Sequence, residues 1–211
     1  MGKTTKKKIL LYGGFFILIL TAFFIALSTT KGFFEVKLPV MGYVQDFKFI
    51  DQDGKPVSDQ DLRGKVYVTE YFFTTCTGIC PKMNLNMAGV YNKFKKDRDF
   101  AILSHTSMPE TDSVPMLKDY EHKMIGNDIN EPAHWYFVTG NKDSLYKMAR
   151  QSYMLDDPKN NSENINESFI HTQFFALVDK QMRLRGIYDG LKKKEIGKLE
   201  TDIQSLLQEK D

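Results

Sequence analysis

Apolar and polar residues come in blocks along this chain, and the period of the pattern changes from block to block. Ile9 to Leu27 is a run of nineteen uncharged residues rich in Ile, Leu and Phe, close to the length that crosses a bilayer. Phe47 to Ile50 alternates weakly, and Asp51-Gln52-Asp53-Gly54 then signals a turn. Val66 to Phe73 is a hydrophobic run that predicts a strand, and Phe100 to Ser104, Trp135 to Val138 and Phe174 to Val178 predict three more. Between them the period becomes helical. Met83, Met87, Val90, Tyr91 and Phe94 recur every three or four residues, and helices are predicted over Val114–Ile125 and Ser144–Met154. Asp179-Lys180-Gln181 turns the chain into Arg183–Tyr188, which makes a hairpin. Lys192 to Gln208 closes the chain as an amphipathic helix with Ile196, Leu199, Ile203, Leu206 and Leu207 on its inner face. Asp156 to Ser168 is polar, carries Pro158 and four asparagines, and reads as a long loop. This order of elements predicts an α/β fold, a central mixed sheet flanked by helices.

Charge divides the chain in two. Five lysines and no acid fall within residues 1–31, so the other 180 residues carry −3 against a whole-chain charge of +2. A weakly acidic domain lacks the basic footprint that nucleic-acid binding needs. Lys6, Lys7 and Lys8 precede the apolar run, which predicts a cytoplasmic N-terminus and a domain on the outer, periplasmic or equivalent, side of a membrane. The expected layout is a basic N-terminus over 1–8, a transmembrane anchor over 9–28, a tether over 29–45 and one domain over 46–211. A cleaved signal peptide is the alternative to an anchor, but Ala26-Leu27-Ser28 is a poor small-x-small site. No cysteine follows the run, so a lipoprotein anchor is not expected.

The chain has two cysteines, in Thr74-Thr75-Cys76-Thr77-Gly78-Ile79-Cys80-Pro81, between the predicted strand and the helical stretch. If both lie in the first helical turn, their spacing puts them on one face. The helix dipole there favours thiolates. Two such sulfurs can close a disulfide, exchange disulfides with a partner, or hold one soft metal ion. A bridge closing so short a loop removes little chain entropy and stabilises little. A structural zinc site wants four ligands, and there is no third cysteine. The residues alone leave these readings open.

Further landmarks accompany the pair. Thr139-Gly140 follows an apolar strand, Phe169-Ile170-His171-Thr172 precedes Phe174–Asp179, and the chain continues with Arg185-Gly186-Ile187-Tyr188-Asp189-Gly190. With Cys76-x-x-x-Cys80-Pro81 they resemble the SCO/SenC proteins from roughly Asp46 to Leu207. The resemblance implies a thioredoxin-like domain on one N-terminal transmembrane helix. It implies a copper chaperone, rather than an enzyme, that assembles the binuclear copper centre of cytochrome c oxidase. Cys76, Cys80 and His171 would then be the metal ligands, and oxidase subunit II or another copper or thiol protein the partner. Two thiolates and an imidazole suit Cu(I) and tolerate Cu(II). The alternatives are a thiol–disulfide oxidoreductase, in which Cys76 and Cys80 would be the catalytic pair, and a redox or copper sensor.

Two departures bear on the surroundings of the pair. The family pattern has Pro-Asp after the first cysteine where this chain has Thr77-Gly78. It also has an acid where Met108 stands, so of that acidic pair only Asp112 is kept. His105, near Asp112 in sequence, is a secondary candidate for approaching the site, and His122 and His134 are its other histidine rivals. Met83 and Met87 continue the cysteine face and are read as core packing.

Overall fold

The computed structural model describes residues 3–29, 37–126, 131–156, 170 and 172–209. It divides into two units, Met1–Lys37 and Leu38–Asp211. The first contains helix α1, Lys3–Thr29. Lys7–Leu27 of α1 is long and apolar enough to cross a membrane: 21 residues at 1.5 Å each span about 30 Å.

The second unit is built on a six-stranded sheet. Its strands in chain order are β1 (Gly42–Tyr43), β4 (Val66–Phe72), β5 (Phe100–Thr106), β6 (His134–Val138), β7 (Phe174–Val178) and β8 (Arg183–Asp189); β2 (Lys48–Ile50) and β3 (Pro56–Ser58) form a separate hairpin. The sheet order is β1-β8-β7-β4-β5-β6. β4, β5 and β6 run parallel, with Val68 opposite Ile102 and Ile102 opposite Trp135. β7 is antiparallel to β4 and β8, and β1 is antiparallel to β8. Every residue of β4 and β5 is buried, the mark of strands covered on both faces.

Alternation along β4 sorts its side chains. Val66, Val68 and Phe72 enter one core with helices α3 (Cys80–Phe94), α4 (Val114–Ile125) and α6 (Lys193–Gln208). Tyr67 and Tyr71 enter the other, with the hairpin, the short helix α2 (Asp59–Leu62) and helix α5 (Lys142–Lys147). A mixed sheet with helices on both faces is the thioredoxin-like arrangement that the resemblance implied.

Three features differ from the sequence reading. Residues 38–45, expected within a tether, are part of the second unit: Met41 N–H donates to Leu184 O (2.8 Å) and Val44 N–H to Met182 O (2.9 Å). The helix expected over Ser144–Met154 starts earlier, because Asn141 caps it by accepting from Ser144 N–H at 3.0 Å. It then widens into one π-helical turn over Met148–Ser152. That turn seats Tyr153 in the core, its hydroxyl 3.4 Å from that of Tyr67. Third, His105 lies on the face away from the cysteines. It is fully buried, stacked on Tyr71 at 4.9 Å between ring centroids, with the Phe49 edge at 5.4 Å. Its odd-numbered place on β5 assigns it to that core, because alternate residues of a strand face opposite ways.

Burial pushes His105 down to about 3 from the ordinary 6.5. Unfolded chains take up a proton there between pH 6.5 and 3 while the folded chain does not. His105 therefore costs stability as pH falls through that window, by about 1.4 kcal/mol per pH unit once the unfolded imidazole is charged. We expect His105→Gln to flatten the denaturation free energy between pH 4.5 and 6.5. An unchanged slope would show that another group carries it.

Candidate functional site

The carboxyl end of β4 delivers the chain to the cysteines. Cys76 lies in the loop after the strand and is half-buried; Cys80 is the first residue of α3 and is 4% exposed. The two therefore do not share a helical turn, as their spacing had allowed. Both are free thiols. Burial first, and the neighbouring Cys76 thiol second, push the Cys80 thiol up to about 12; the backbone at Phe73 opposes them. The helix dipole was expected to favour a thiolate. It does not prevail at Cys80, since a dipole is worth about a kcal/mol and desolvation several.

The loop is held from below by a carboxylate. Asp112 is fully buried. It accepts from Thr74 N–H at 3.1 and 3.3 Å, from the Thr74 hydroxyl at 2.5 Å and from the Thr106 hydroxyl at 2.5 Å. The Thr106 oxygen in turn accepts from Met108 N–H at 2.9 Å. Asp112 thus ties the end of β5 to the residue two before Cys76. Its partners are threonines and backbone rather than the thiols.

His171 lies outside the described residues. Its neighbours are placed. Ile170 is buried in the core of the far face. Gln173 O accepts from Gly190 N–H at 2.7 Å, and Gln173 Nε2–H donates to Asp189 Oδ2 at 2.8 Å. Gly190 is required there: a Cβ would stand 2.7 Å from the Phe175 ring and 2.9 Å from Gln173 O. A hollow of about 640 Å³ is walled by Ile79 and Thr172 together, with Met154, Leu155 and Phe174. The immediate neighbours of Cys80 and of His171 therefore line one space. His122 and His134 are exposed, and Met83 and Met87 are fully buried core residues. Among the described residues no three His, Cys, Asp or Glu side chains gather as a metal site.

A polar cluster beneath the thiols escaped sequence reading. Glu70 on β4 is fully buried, and burial pushes its carboxyl up to about 8, with the Ser104 hydrogen bond pulling the other way. Ser104 Oγ–H donates to Glu70 Oε1 at 2.8 Å and accepts from Trp135 Nε1–H at 2.9 Å. Asn84 Nδ2–H donates to the Tyr120 hydroxyl at 2.7 Å. Glu70 Oε2 and Asn84 Oδ1 have no hydrogen-bond partner. The available signal was one acid at an inward-facing position of an otherwise apolar strand.

Comparison with known proteins bears on the whole second unit. Residues 39–208 match the family model described as SCO1/SenC. The SCO1 protein homolog of Bacillus subtilis is 30% identical over 173 residues, 81% of this chain and 86% of that protein. The solved structure of BsSco, described as a member of the Sco family of cytochrome c oxidase assembly proteins with a disulfide switch, aligns at TM-score 0.66. It is 26% identical and covers 82% of this chain and 99% of its own. Bradyrhizobium japonicum ScoI with copper bound aligns at 0.59 and 21% identity, over 78% of this chain and 99% of that one, a likeness of fold. With the cysteine motif at the end of β4 and the match running through the final helix, the chain belongs to the SCO1/SenC family.

Proposed function

We propose that this chain is a membrane-anchored copper chaperone that holds one copper ion through Cys76, Cys80 and His171 and delivers it during assembly of the binuclear copper centre of cytochrome c oxidase, with subunit II as the recipient. One observation carries the reading: two free thiols stand at the carboxyl end of β4, and the neighbours of Cys80 and His171 wall the same hollow. The names of the relatives, one copper-bound and one an oxidase assembly protein, support it.

The thiols make the site selective. Burial raises the cost of deprotonating Cys80. A hard ion bound through oxygen does not repay that, whereas a soft ion with strong metal–sulfur bonds does. Loading releases the protons of both thiols, so affinity falls as pH falls. His171 adds an imidazole, which is a ligand only when neutral.

We expect His171→Ala to keep both thiols titratable while weakening copper binding and altering the visible spectrum of the Cu(II) form. Copper binding equal to the parent's would remove His171 from the ligand set.

The proposed layout is a basic N-terminus over 1–8, an anchor over 9–28 and the copper domain outside the cytoplasm. We expect a reporter fused after Asp211 to be active only in the export-dependent form. Activity of a cytoplasmic-only reporter would reverse the orientation.

The second reading is thiol–disulfide exchange with a partner. The unequal exposure of Cys76 and Cys80 favours it, since exchange needs one accessible sulfur and one resolving sulfur. Efficient reduction of a peptide disulfide by metal-free chain, with weak copper binding, would put it first.

A further inference from the structure

Met154 is held in a setting that the three proposed ligands do not explain. It closes the helix that runs on from α5 through the π-helical turn. Across that turn Tyr153 N–H donates to Met148 O at 3.0 Å and Leu155 N–H to Ala149 O at 2.8 Å. The closure puts Met154 in the left-handed region, at φ 54°, where glycine or asparagine is usual. Among the described non-glycine residues only Met182 shares that region, and its side chain is used for packing in the core. Tyr153 and Leu155 are buried in that same core, so the backbone of Met154 is held from both sides. Met154 itself is 47% exposed. It walls the hollow of about 640 Å³ together with Ile79 and Thr172, the neighbours of Cys80 and His171. Gly42 leaves room for its end, since a Cβ there would stand 3.3 Å from Met154 Cε. The core fixes this backbone but does not choose the side chain. Glycine would fit the conformation better, and a polar residue the exposure. What methionine brings is a soft, polarizable sulfur that carries no proton.

We propose that the Met154 thioether is the ligand through which Cu(I) enters and leaves the hollow. The inference rests on the copper reading and adds a residue to it. Uptake is ligand exchange, with no electron transferred. A bond from the donor's ligand to Cu(I) breaks as the bond from Met154 Sδ to Cu(I) forms. The Cys76 and Cys80 thiolates then displace the thioether, and the two thiol protons go to water. Release runs the same steps backward, toward a recipient. A low-coordinate ion has room for an incoming donor before an outgoing one leaves, so a waiting soft donor shortens both passages. The thioether suits that task because it is neutral. It binds without releasing a proton and yields to an anionic thiolate. Its exposed position meets the donor complex, whereas the Cys80 sulfur is buried. In the loaded chain the ion keeps two thiolates and an imidazole, and Met154 is no longer bound to it.

The test is the stopped-flow rate of Cu(I) transfer from its bicinchoninate complex to the reduced full-length chain in detergent micelles, and of the return transfer to excess bicinchoninate. Met154→Leu keeps the size and apolarity of the side chain and removes the sulfur. We expect it to slow uptake and release alike by about tenfold, the low end of what a lost supporting group costs a metal site, and to leave their ratio within about twofold. Met154→Gly should slow both as much although it relieves the left-handed residue, which separates the sulfur from the backbone. Met41→Leu is the control. Met41 is 42% exposed, but alternation along the chain turns it away from the face that Gly42 shows to Met154, so it should keep parental rates. Parental rates in Met154→Leu, equal slowing in Met41→Leu, or a loss of affinity in step with slower uptake would overturn the proposal. A second measurement does not need the thiols. In the Cys76→Ser/Cys80→Ser chain carrying 13C-methyl methionine, Ag(I), a soft ion that stays in one oxidation state, should shift the Met154 methyl signal at a lower concentration than that of Met41. No shift at Met154, or one no earlier than Met41's, would equally overturn it. A parent chain that takes up no Cu(I) would remove the copper reading, and the silver titration would then decide this one by itself.

Discussion

Replacing Cys80 with serine is expected to lower copper affinity by more than about 100-fold, and oxidising the pair to the disulfide to abolish uptake. The scale follows from comparison: loss of a partner that merely orients a metal ligand costs roughly 10- to 100-fold, and a thiolate lost from a set of three costs more. Serine is nearly isosteric and Cys80 opens α3 with Pro81 behind it, so the helix start should survive. Far-ultraviolet circular dichroism should match the parent's, while competition with a Cu(I) chelator reads the loss. Serine variants at Cys76 and Cys80 that both retain parental affinity would move the site elsewhere.

The second large effect concerns Asp112. Asp112→Ala removes the acceptor of the half-buried Thr74 amide and hydroxyl and of the buried Thr106 hydroxyl. An unsatisfied buried group costs about 1–3 kcal/mol and a half-buried one less, so a loss on the order of 2 kcal/mol in unfolding free energy is expected. Asp112→Asn keeps an acceptor for Thr74, and the rotatable Thr106 hydroxyl can accept from the new amide, so it should cost less than half as much. The same order should appear in copper affinity, because the loop held by Thr74 carries Cys76. Equal urea midpoints for parent and Asp112→Ala would remove the clamp from the account. Equal losses in Ala and Asn would show that the charge, not the hydrogen-bond geometry, matters.

Regular elements were legible where one physical signal dominated. Val66–Phe72 and Phe100–Thr106 are buried on both faces, so their hydrophobic runs announced them, and α3 and α6 declared their apolar faces by period. The cysteine pair was legible from spacing and flanks. Other features depended on contacts distant in sequence. The edge strand Gly42–Tyr43 is two residues long and exists through its pairing with Leu184 and Arg183. Glu70 reads as a polar interruption in a strand, and only the burial of β4 on both faces, with Ser104 hydrogen-bonded to it, makes it a buried acid. The ionisation of Cys80 is not legible in the motif, because local helix position and tertiary burial act in opposite directions and burial is not written there. The proximity of His105 to Asp112 in sequence does not say which sheet face its side chain takes, and alternation along β5 sends it away from the cysteines.

The central claim is that Cys76, Cys80 and His171 together hold one copper ion. X-ray absorption at the copper edge of the full-length chain loaded with one equivalent of Cu(I) tests it most directly. The account predicts two sulfur neighbours and one imidazole nitrogen, with the imidazole signal lost in His171→Ala and one sulfur lost in each single cysteine variant. A shell of nitrogen and oxygen alone, or one unchanged by all three substitutions, would contradict it.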